Sequence, residues 1–342
     1  MTTIREIAQT AGVSIGTVSN YLNDPALVAE ETRARIEGVI KQLDYHPKAA
    51  ARSLKSRLTH RIGLVPVVSP EDNRSADPGD NAFLELLAGL NTVAAENGFD
   101  ILISAATNPA QELNTYERVV GEAQVDGMVL MGINAHDARL KFLSAKKFPF
   151  VAYGRSDLPL QYPYVDVDGA AGLAAAVDYL AGLGHRRIAY ITPSPSLMCT
   201  SQRWEGFVRG MEQNRLPIEE EYVIQGGFGE VEGIRCTEQL LALPQPPTAI
   251  LTSNDTCAFG AIRTLQNHGL QVGKEVSVIG FDDISLADHW QPSLTTLSQP
   301  FRRIGFYLMQ SLLSILSGEN ASPQILLEAP LIVRESTGMC PD

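Results

Sequence analysis

The chain has 342 residues, 44% of them hydrophobic and 19% charged, and it carries a formal net charge of −12. A chain of this length can bury sizeable cores and is typical of two or three domains. It contains no apolar run of about 18 residues that could cross a membrane, and its N-terminus lacks the apolar segment of a secretory signal, so we expect a cytoplasmic protein. The four cysteines have no metal-ligand spacing and are expected to be free thiols.

The first 23 residues predict two short helices joined by a tight turn. Apolar residues recur at helical spacing over residues 4–11, and Gly12 interrupts the pattern. Ser14 offers an N-cap oxygen for a second helix, whose apolar face includes Val18 and Leu22. So short a joint is typical of a helix-turn-helix, whose second helix can lie in the DNA major groove. On these residues alone, an ordinary helical hairpin is the alternative.

Two further helices are predicted before residue 60. Residues 30–43 have an apolar stripe that includes Ile36 and Ile40, and the three helices together can close a small core. Residues 47–57 begin with proline and contain three consecutive alanines, which favour helix. A helix of roughly ten residues with few core-facing groups is marginal in water, so we interpret this segment as a hinge that orders when something holds it.

The negative charge is unevenly distributed along the chain. Residues 1–60 contain eight Lys and Arg against six Asp and Glu, which makes this segment +2 and the remainder −14. This asymmetry favours a small DNA-facing head on an acidic body that phosphate repels. Because the excess in the head is modest, a single copy should bind DNA weakly, and we expect a dimer.

From Ile62 onward, short apolar runs alternate with helical stretches such as 84–97, 170–183 and 258–267. Apolar runs in which polar residues do not alternate with apolar ones, separated by helices, predict a parallel sheet that is covered on both faces. Eight strands divide naturally into two halves, and ligands bind beyond the carboxyl ends of such strands. The candidate strands are 62–68, 100–105, 127–132, 150–152, 187–192, 222–225, 249–252 and 277–281.

Polar and aromatic residues follow these strands. The strand-end candidates are Arg203, Phe228, Asn254, Asp255 and Asp282. A guanidinium, an amide and a carboxylate can bind vicinal hydroxyls, and an aromatic ring can stack on the C–H face of a sugar. Alternatives stay open at four of these positions. Asp255 is expected to cap the following helix, Arg203 and Asp282 could form an interdomain ion pair, and Phe228 could belong to a core.

Several motifs resemble the lactose-repressor (LacI/GalR) family of bacterial transcription regulators. They are TVSNYLN, the run ETRARIEGVIKQLDYHPKAAARSLKS and RIGLV, followed in the family's order by LGHRRIAYI, RWEGF, SNDTCAFGA, VSVIGFDD and LTTLSQP. The resemblance implies an all-α helix-turn-helix head and an α/β periplasmic-binding-protein-like domain of two doubly wound parallel-sheet subdomains. The implied boundaries are 1–46 for the head, 47–60 for the hinge and 61–342 for the large domain, divided into 61–157 with 292–320 and 158–291 with 321–342.

The resemblance also implies where the head meets DNA. The implied contacts are Thr3, Ser14, Ile15, Gly16, Thr17, Ser19 and Asn20 in the head, and Arg52, Leu54 and Lys55 in the hinge. Of these, Ile15, Gly16 and Asn20 are expected to read bases, and asparagine pairs bidentately with adenine. Leu54 would wedge into the minor groove at the operator centre, with Lys55 beside it; the alternative is that Leu54 packs the head on the body.

In the large domain, the resemblance implies effector contacts at Phe83, Arg203, Phe228, Asn254 and Asp282. The chain departs from purine-responsive members of the family at Leu197 and Cys199, where they present Arg and Thr, and at Ala82, where they carry an aromatic residue. These differences argue against a purine base. The phrase FPFVAYGRS resembles members that respond to disaccharides or other glucosides.

Two other classes of protein fit the sequence less well. A secreted sugar-binding protein would need a signal peptide and would lack the head. An enzyme is disfavoured because the GGFG at 226–229 lacks the further glycine spacing of a dinucleotide loop, no phosphate-binding GxxxxGK[ST] occurs, and the six histidines show no paired ligand spacing. We therefore expect a homodimeric or tetrameric repressor without cofactor or metal, which binds double-stranded operator DNA and a small carbohydrate. A nucleoside or other non-sugar metabolite is the alternative effector.

Overall fold

The computed structural model describes residues 3–23, 25–43, 45, 58–67, 82–319 and 323–341. The chain divides into two compact units, residues 1–59 and 60–342. The predicted hinge contacts Arg52, Leu54 and Lys55 lie outside the described residues. No helix within the described ranges is both long enough and apolar enough to cross a membrane.

The first unit contains the predicted helix-turn-helix. Its α-helices within the described residues are α1 (Ile4–Ala11), α2 (Ile15–Asn23) and α3 (Glu30–Gln42). Thr3 and Glu6 cap the start of α1 reciprocally, and Gly12 ends it in the left-handed conformation, with φ of 64°. Ile7, Val18 and Ile36, one from each helix, are fully buried in the shared core.

The described residues of the second unit form two six-stranded sheets, so the predicted two-sheet α/β class is confirmed. The first sheet has the order β11-β5-β4-β3-β1-β2 and is formed by β1 (Arg61–Leu64), β2 (Asp100–Ile103), β3 (Gly127–Leu130), β4 (Phe150–Tyr153), β5 (Tyr164–Val167) and β11 (Gln324–Leu327). The second has the order β12-β10-β9-β8-β6-β7 and is formed by β6 (Ile188–Thr192), β7 (Val223–Gln225), β8 (Ala249–Leu251), β9 (Ser277–Asp282), β10 (Thr295–Ser298) and β12 (Leu331–Ile332). All pairs are parallel except β10 with β12.

Helices cover both sheets. They are α4 (Ala82–Glu96), α5 (Pro109–Gly121), α6 (Ala138–Lys146), α7 (Gly169–Gly182), α8 (Met198–Gln213), α9 (Glu230–Leu241), α10 (Asp255–Asn267), α11 (Leu286–His289) and α12 (Phe301–Leu316). Leu90, Tyr190 and Leu308 are among the fully buried side chains of the largest core cluster, and the opposite sheet faces have their own clusters. Both faces of each sheet are therefore buried, which explains the strands without polar alternation.

The predicted subdomain boundaries place three strands in the wrong sheet. β5 lies beside β4 in the first sheet, although residue 158 was expected to begin the second subdomain. Conversely, β10 pairs with β9 in the second sheet, and β11 pairs with β5 in the first. The chain therefore crosses between the sheets after β5, after β10 and after β11. The sequence gives no sign of this, because strand pairing joins residues that are distant along the chain.

Helix α8, which carries Arg203, packs against α7 at glycine positions. A Cβ at Gly206 would lie 2.1 Å from the carbonyl oxygen of Ala170, and a Cβ at Gly210 would lie 2.7 Å from the Cβ of Val177. No L side chain fits at 206 unless the backbones separate. These glycines therefore set the depth at which α8 lies and the position of Arg203.

We predict that Gly206→Ala lowers the free energy of unfolding by about 1–3 kcal/mol or more, because it forces α7 and α8 apart. The matched control is Gly182→Ala at the end of α7, where an added Cβ meets no atom within 4 Å. This control should be neutral or stabilising by up to about 1 kcal/mol. Urea unfolding of the two variants measures the difference, and equal stabilities would contradict the packing argument.

Candidate functional site

A cavity of about 370 Å³ lies beyond the carboxyl ends of strands from both sheets. Ligands of parallel α/β proteins usually bind at such edges. Four of the five predicted effector contacts line it: Arg203, Phe228, Asn254 and Asp282. The lining that sequence reasoning did not select includes Tyr153, Arg155, Asp166, Gln202, Gln299 and Phe301.

The structure places the fifth predicted contact elsewhere. Phe83 packs against the largest core cluster, and its neighbour Ala82 lines the cavity. Successive helical side chains point about 100° apart, so the second residue of α4 turns away from the cavity that the first one faces. The aromatic ring on this side belongs to Phe301 at the start of α12. Its position directly after the LTTLSQP motif was the signal that could have identified it.

Asn254 takes the capping role that was expected of Asp255, and it also lines the cavity. Asn254, not Asp255, caps α10, because its Oδ1 accepts a 2.9 Å hydrogen bond from the backbone N–H of Cys257. Its amide nitrogen remains the donor suited to a ligand. Asp255 is the first residue of the helix, and its carboxylate accepts hydrogen bonds from the Ile284 N–H at 2.8 Å and from the Thr296 hydroxyl. Burial, and secondarily the charge of Asp282, raises the pKa of Asp255 well above its ordinary value.

Arg203 is buried and held in place on two sides. Its Nη1 donates to the Ser253 carbonyl oxygen at 2.7 Å, and its guanidinium carbon lies 3.5 Å from the centre of the Phe281 ring. Stacking on an aromatic face suits a planar guanidinium and leaves its remaining N–H groups in the plane, where they can donate to a ligand. The geometry therefore presents a fixed cation at the cavity wall.

A chain of side-chain hydrogen bonds joins the two sheets across the cavity. Tyr153, at the end of β4, donates its hydroxyl to Gln299 Oε1 at 2.6 Å, and Gln299 Nε2 donates to Asp282 Oδ1 at the end of β9. Burial, followed by the nearby charge of Asp282, raises the pKa of Tyr153 well above its ordinary value. Tyr153 therefore stays protonated and acts as a donor.

An ion pair also lies in the cavity wall. Arg155 Nε is 2.6 Å from Asp166 Oδ2, and burial raises the pKa of Asp166 although Arg155 opposes the shift. The charged side chains of the lining are thus two guanidiniums, Arg155 and Arg203, and two carboxylates, Asp166 and Asp282. Their charges balance, which suits a polar but uncharged ligand. The described residues contain no group of three or more His, Cys, Asp and Glu side chains that could hold a metal ion.

Two loops also join across the cavity through their backbones. The Met198 N–H donates to the Ile133 carbonyl oxygen at 2.9 Å, and the Ala135 N–H donates to the Ser196 carbonyl oxygen at 3.1 Å. Asn134 and Leu197 form an antiparallel bridge between them. We call this contact, residues 133–135 with 196–198, the backbone clasp. Ile133, Leu197 and Met198 line the cavity, so opening the clasp would change the shape of the site.

A buried ion network holds one half of the clasp. Arg139 pairs with Asp137 and Glu112, and its Nη2 donates to the Gly132 carbonyl oxygen at 2.8 Å. Its Nη1 donates to the Met131 carbonyl oxygen at 3.0 Å. Asp137 in turn accepts from the Asn134 N–H at 3.1 Å. Arg139 therefore holds the loop just before the clasp, and Asp137 holds it within the clasp.

The helix-turn-helix presents a separate candidate surface. Ile15, Gly16 and Asn20 are exposed on α2, whereas Val18 faces the core. Ser14 caps α2 by accepting from the Thr17 N–H at 3.0 Å, and its hydroxyl lies 2.8 Å from the Thr17 hydroxyl. Thr3 is engaged in the cap of α1, and Ser19 is half-buried. The three residues predicted to read bases thus share the accessible side of one helix.

Comparisons with known proteins match both units. A family described as bacterial regulatory proteins, lacI family, matches residues 3–48, and a periplasmic binding protein-like domain matches residues 177–337. The HTH-type transcriptional regulator AglR of Rhizobium meliloti (strain 1021) is 34% identical over 99% of this chain and 95% of its own.

Solved structures resemble the chain over nearly its whole length. The Lac repressor dimer bound to operator and the anti-inducer ONPF is 25% identical, with a TM-score of 0.87 over 98% of this chain and 99% of its own. The transcriptional regulator CelR in complex with cellobiose is 27% identical, with a TM-score of 0.75 over 98% of this chain and 100% of its own.

We predict that Met198→Pro opens the clasp, because proline has no N–H to donate to Ile133. Position 198 is the first residue of α8 and Leu197 before it is extended, so proline fits both the helix start and the preceding residue. Amide exchange of Ala135 should accelerate roughly fivefold, as expected for the loss of one neutral hydrogen bond. Met198→Ala is the matched control, since it removes the side chain and keeps the N–H. Equal exchange of Ala135 in the two variants would contradict this role of the clasp.

Proposed function

The chain belongs to the LacI family of bacterial transcriptional repressors, and we propose that a small uncharged carbohydrate, bound in the cavity between its two sheets, controls its affinity for operator DNA. The observation that carries this proposal is the cavity wall, in which Arg203, Asn254 and Asp282 meet at the strand ends beside aromatic rings. The further proposals concern the effector, the dimer and the coupling between them.

The lining supports a carbohydrate as the effector. Asp282 supplies acceptors, Arg203 and the Asn254 amide supply donors, and Phe228 and Phe301 supply flat apolar faces. The two guanidiniums of the lining are matched by two carboxylates, so the cavity has no net positive charge to favour a phosphorylated sugar or a uronate. The cellobiose complex of the similar regulator CelR supports a disaccharide or glucoside, which is also what the FPFVAYGRS motif suggests.

An apolar surface supports the homodimer. Leu84 on α4 and Ile103 on β2 are 59% and 44% exposed, and they line one groove with Leu87. β2 is an edge strand of the first sheet, so its outer side can take a partner. The similar Lac repressor was solved as a dimer on operator. A second copy would cover this groove and bring two weakly basic heads to one operator.

Effector control is proposed to act through closure of the cavity. The clasp and the Tyr153–Gln299–Asp282 chain both join the first sheet to the second, so a ligand that changes either contact shifts the angle between the sheets. Residues 47–60 link the large unit to the head. In a dimer, a change in the separation of the two large units would pass to the heads through this link. A coupling of about 1–3 kcal/mol would change operator affinity by about 5- to 150-fold.

We predict that Asn20→Ala weakens operator binding by about 1–3 kcal/mol and relaxes base preference at one position of each half-site. The physical reason is the loss of a bidentate contact with adenine. Selection of binding sites from random DNA, followed by titration of the best site, measures both effects. Gln42→Ala, at an exposed position of α3, is the control and should leave the preference unchanged. If Asn20→Ala selects the same half-sites as the unmodified protein, Asn20 does not read a base.

We predict that Asp282→Ala and Arg203→Ala each abolish carbohydrate binding and leave operator affinity at its effector-free value. Calorimetry with glucose, maltose, sucrose, cellobiose and ribose identifies the ligand, with glucose 6-phosphate and cytidine as the charged and nucleoside comparisons. Asp288→Ala removes an exposed carboxylate outside the lining and should keep full affinity. Undiminished binding by Asp282→Ala would refute the cavity assignment, and binding of cytidine alone would refute the carbohydrate.

A further inference from the structure

The turn that follows β9 has an unusual backbone. Asp282 and Asp283 have φ of 121° and 59°, so two consecutive residues other than glycine lie in a region that L side chains rarely adopt. Such residues persist only where the surrounding structure holds them, and they cluster at functional sites. Asp282 is the carboxylate that lines the cavity, so whatever holds this turn also sets where that carboxylate lies.

Asp255 holds the turn from the side of α10. Its carboxylate is fully buried and does not line the cavity. One oxygen accepts from the N–H of Ile284, the residue after the turn, at 2.8 Å, and the other accepts from the hydroxyl of Thr296 on β10. Gly280 leaves the space for this carboxylate, because a Cβ there would lie 2.2 Å from Asp255 Oδ1. The turn is thereby tied to two neighbouring elements at once.

Arg334 holds the turn from the opposite side. Its Nη2 lies 2.8 Å from Asp283 Oδ1, and its Nη1 donates to the Leu294 carbonyl oxygen at 2.8 Å. Its Nε lies 3.3 Å from Asp288, whose side chain is 68% exposed. Because a guanidinium is planar and carries five N–H donors, it can hold these three acceptors in a fixed arrangement.

We propose that Asp255 and Arg334 are positioning residues, which hold Asp282 in the backbone conformation that presents its carboxylate to the effector. This inference rests on the proposed function of Asp282 as an effector ligand. Neither residue touches the cavity: Asp255 acts through Ile284 and Thr296, and Arg334 acts through Asp283. Substitutions at these two sites should therefore change effector affinity without changing the chemistry of the lining.

The requirement at position 255 is specific. Two donors approach from different elements, so the residue needs an acceptor for Ile284 and a polar partner for Thr296. Asparagine meets this need, since its oxygen can accept from Ile284 and its amide can donate to the Thr296 hydroxyl, which is also an acceptor. Alanine meets neither. Asp255→Asn should therefore retain the hydrogen bonds to Ile284 and Thr296 that Asp255→Ala loses. A difference between the two variants distinguishes a positioning role from a role in filling space.

The first test needs no ligand. Amide exchange of Ile284, followed by NMR in the full-length protein, should accelerate about tenfold or more in Asp255→Ala and change little in Asp255→Asn. Arg334→Met should also loosen the turn, whereas Asp288→Ala, which removes only its exposed partner, should not. If Asp255→Ala and Arg334→Met fold with unchanged Ile284 exchange, the proposal is overturned.

The second test measures affinity for cellobiose, or for the sugar of the panel that the unmodified protein binds. Affinity should fall about tenfold or more in Asp255→Ala and Arg334→Met, and stay near its original value in Asp255→Asn and Asp288→Ala. Leu143→Ala, a buried position in the first sheet's own cluster, controls for lost stability and should keep full affinity. Equal losses in Leu143→Ala would overturn positioning. If the unmodified protein binds no sugar, the proposed effector class fails, and Ile284 exchange still decides the role of the two residues.

Discussion

The contacts that cross the cavity are the constraint on which the rest of the large unit depends. The carboxyl ends of strands from both sheets face each other across the cavity, and each sheet has its own buried faces. Because parallel strands direct their ends toward the same edge, residues far apart in sequence converge at this place. Tyr153, Gln299 and Asp282 illustrate the result, since one hydrogen-bonded chain unites β4, the β10–α12 connection and β9.

Charged side chains near the cavity mainly hold loops in place. Arg139 is buried with Asp137 and Glu112, and breaking such a network typically costs about 3–5 kcal/mol although an apolar replacement can be just as stable. Its contribution is therefore geometric, because the same guanidinium holds two carbonyl groups of the loop that leads into the clasp. Arg334 has a comparable place beside Asp283. In both cases a guanidinium holds a loop that lines or approaches the cavity.

Close helix packing positions the remaining part of the site. Helices α7 and α8 approach at glycines, and so do α9 and α10, where a Cβ at Gly233 would lie 2.0 Å from the Cys257 carbonyl oxygen. Arg203 lies on α8, and α10 begins directly after Asn254. The distance at which each helix approaches its neighbour therefore sets the position of these two residues in the cavity wall. The ligand groups thus stand on rigid elements, and movement is left to the connections between the sheets.

The sequence by itself determined the features that depend on local physics. Caps and helical spacing predicted the helix-turn-helix, and uninterrupted apolar runs predicted eight of the twelve strands that the described residues form, because these signals act within a few residues. Four cavity residues were identified because each directly follows a strand or lies on the next helix.

Only the tertiary structure decided what depends on distant partners. It assigned β5, β10 and β11 to their sheets, packed Phe83 against the core, placed Phe301 at the cavity, and gave the cap of α10 to Asn254 rather than Asp255. Asp255 shows the reason most clearly. A carboxylate at a helix start predicts a helix cap, and nothing near Asp255 in the chain indicates other partners. Its hydrogen-bonding partners, Ile284 and Thr296, come close only because β8, β9 and β10 pair side by side.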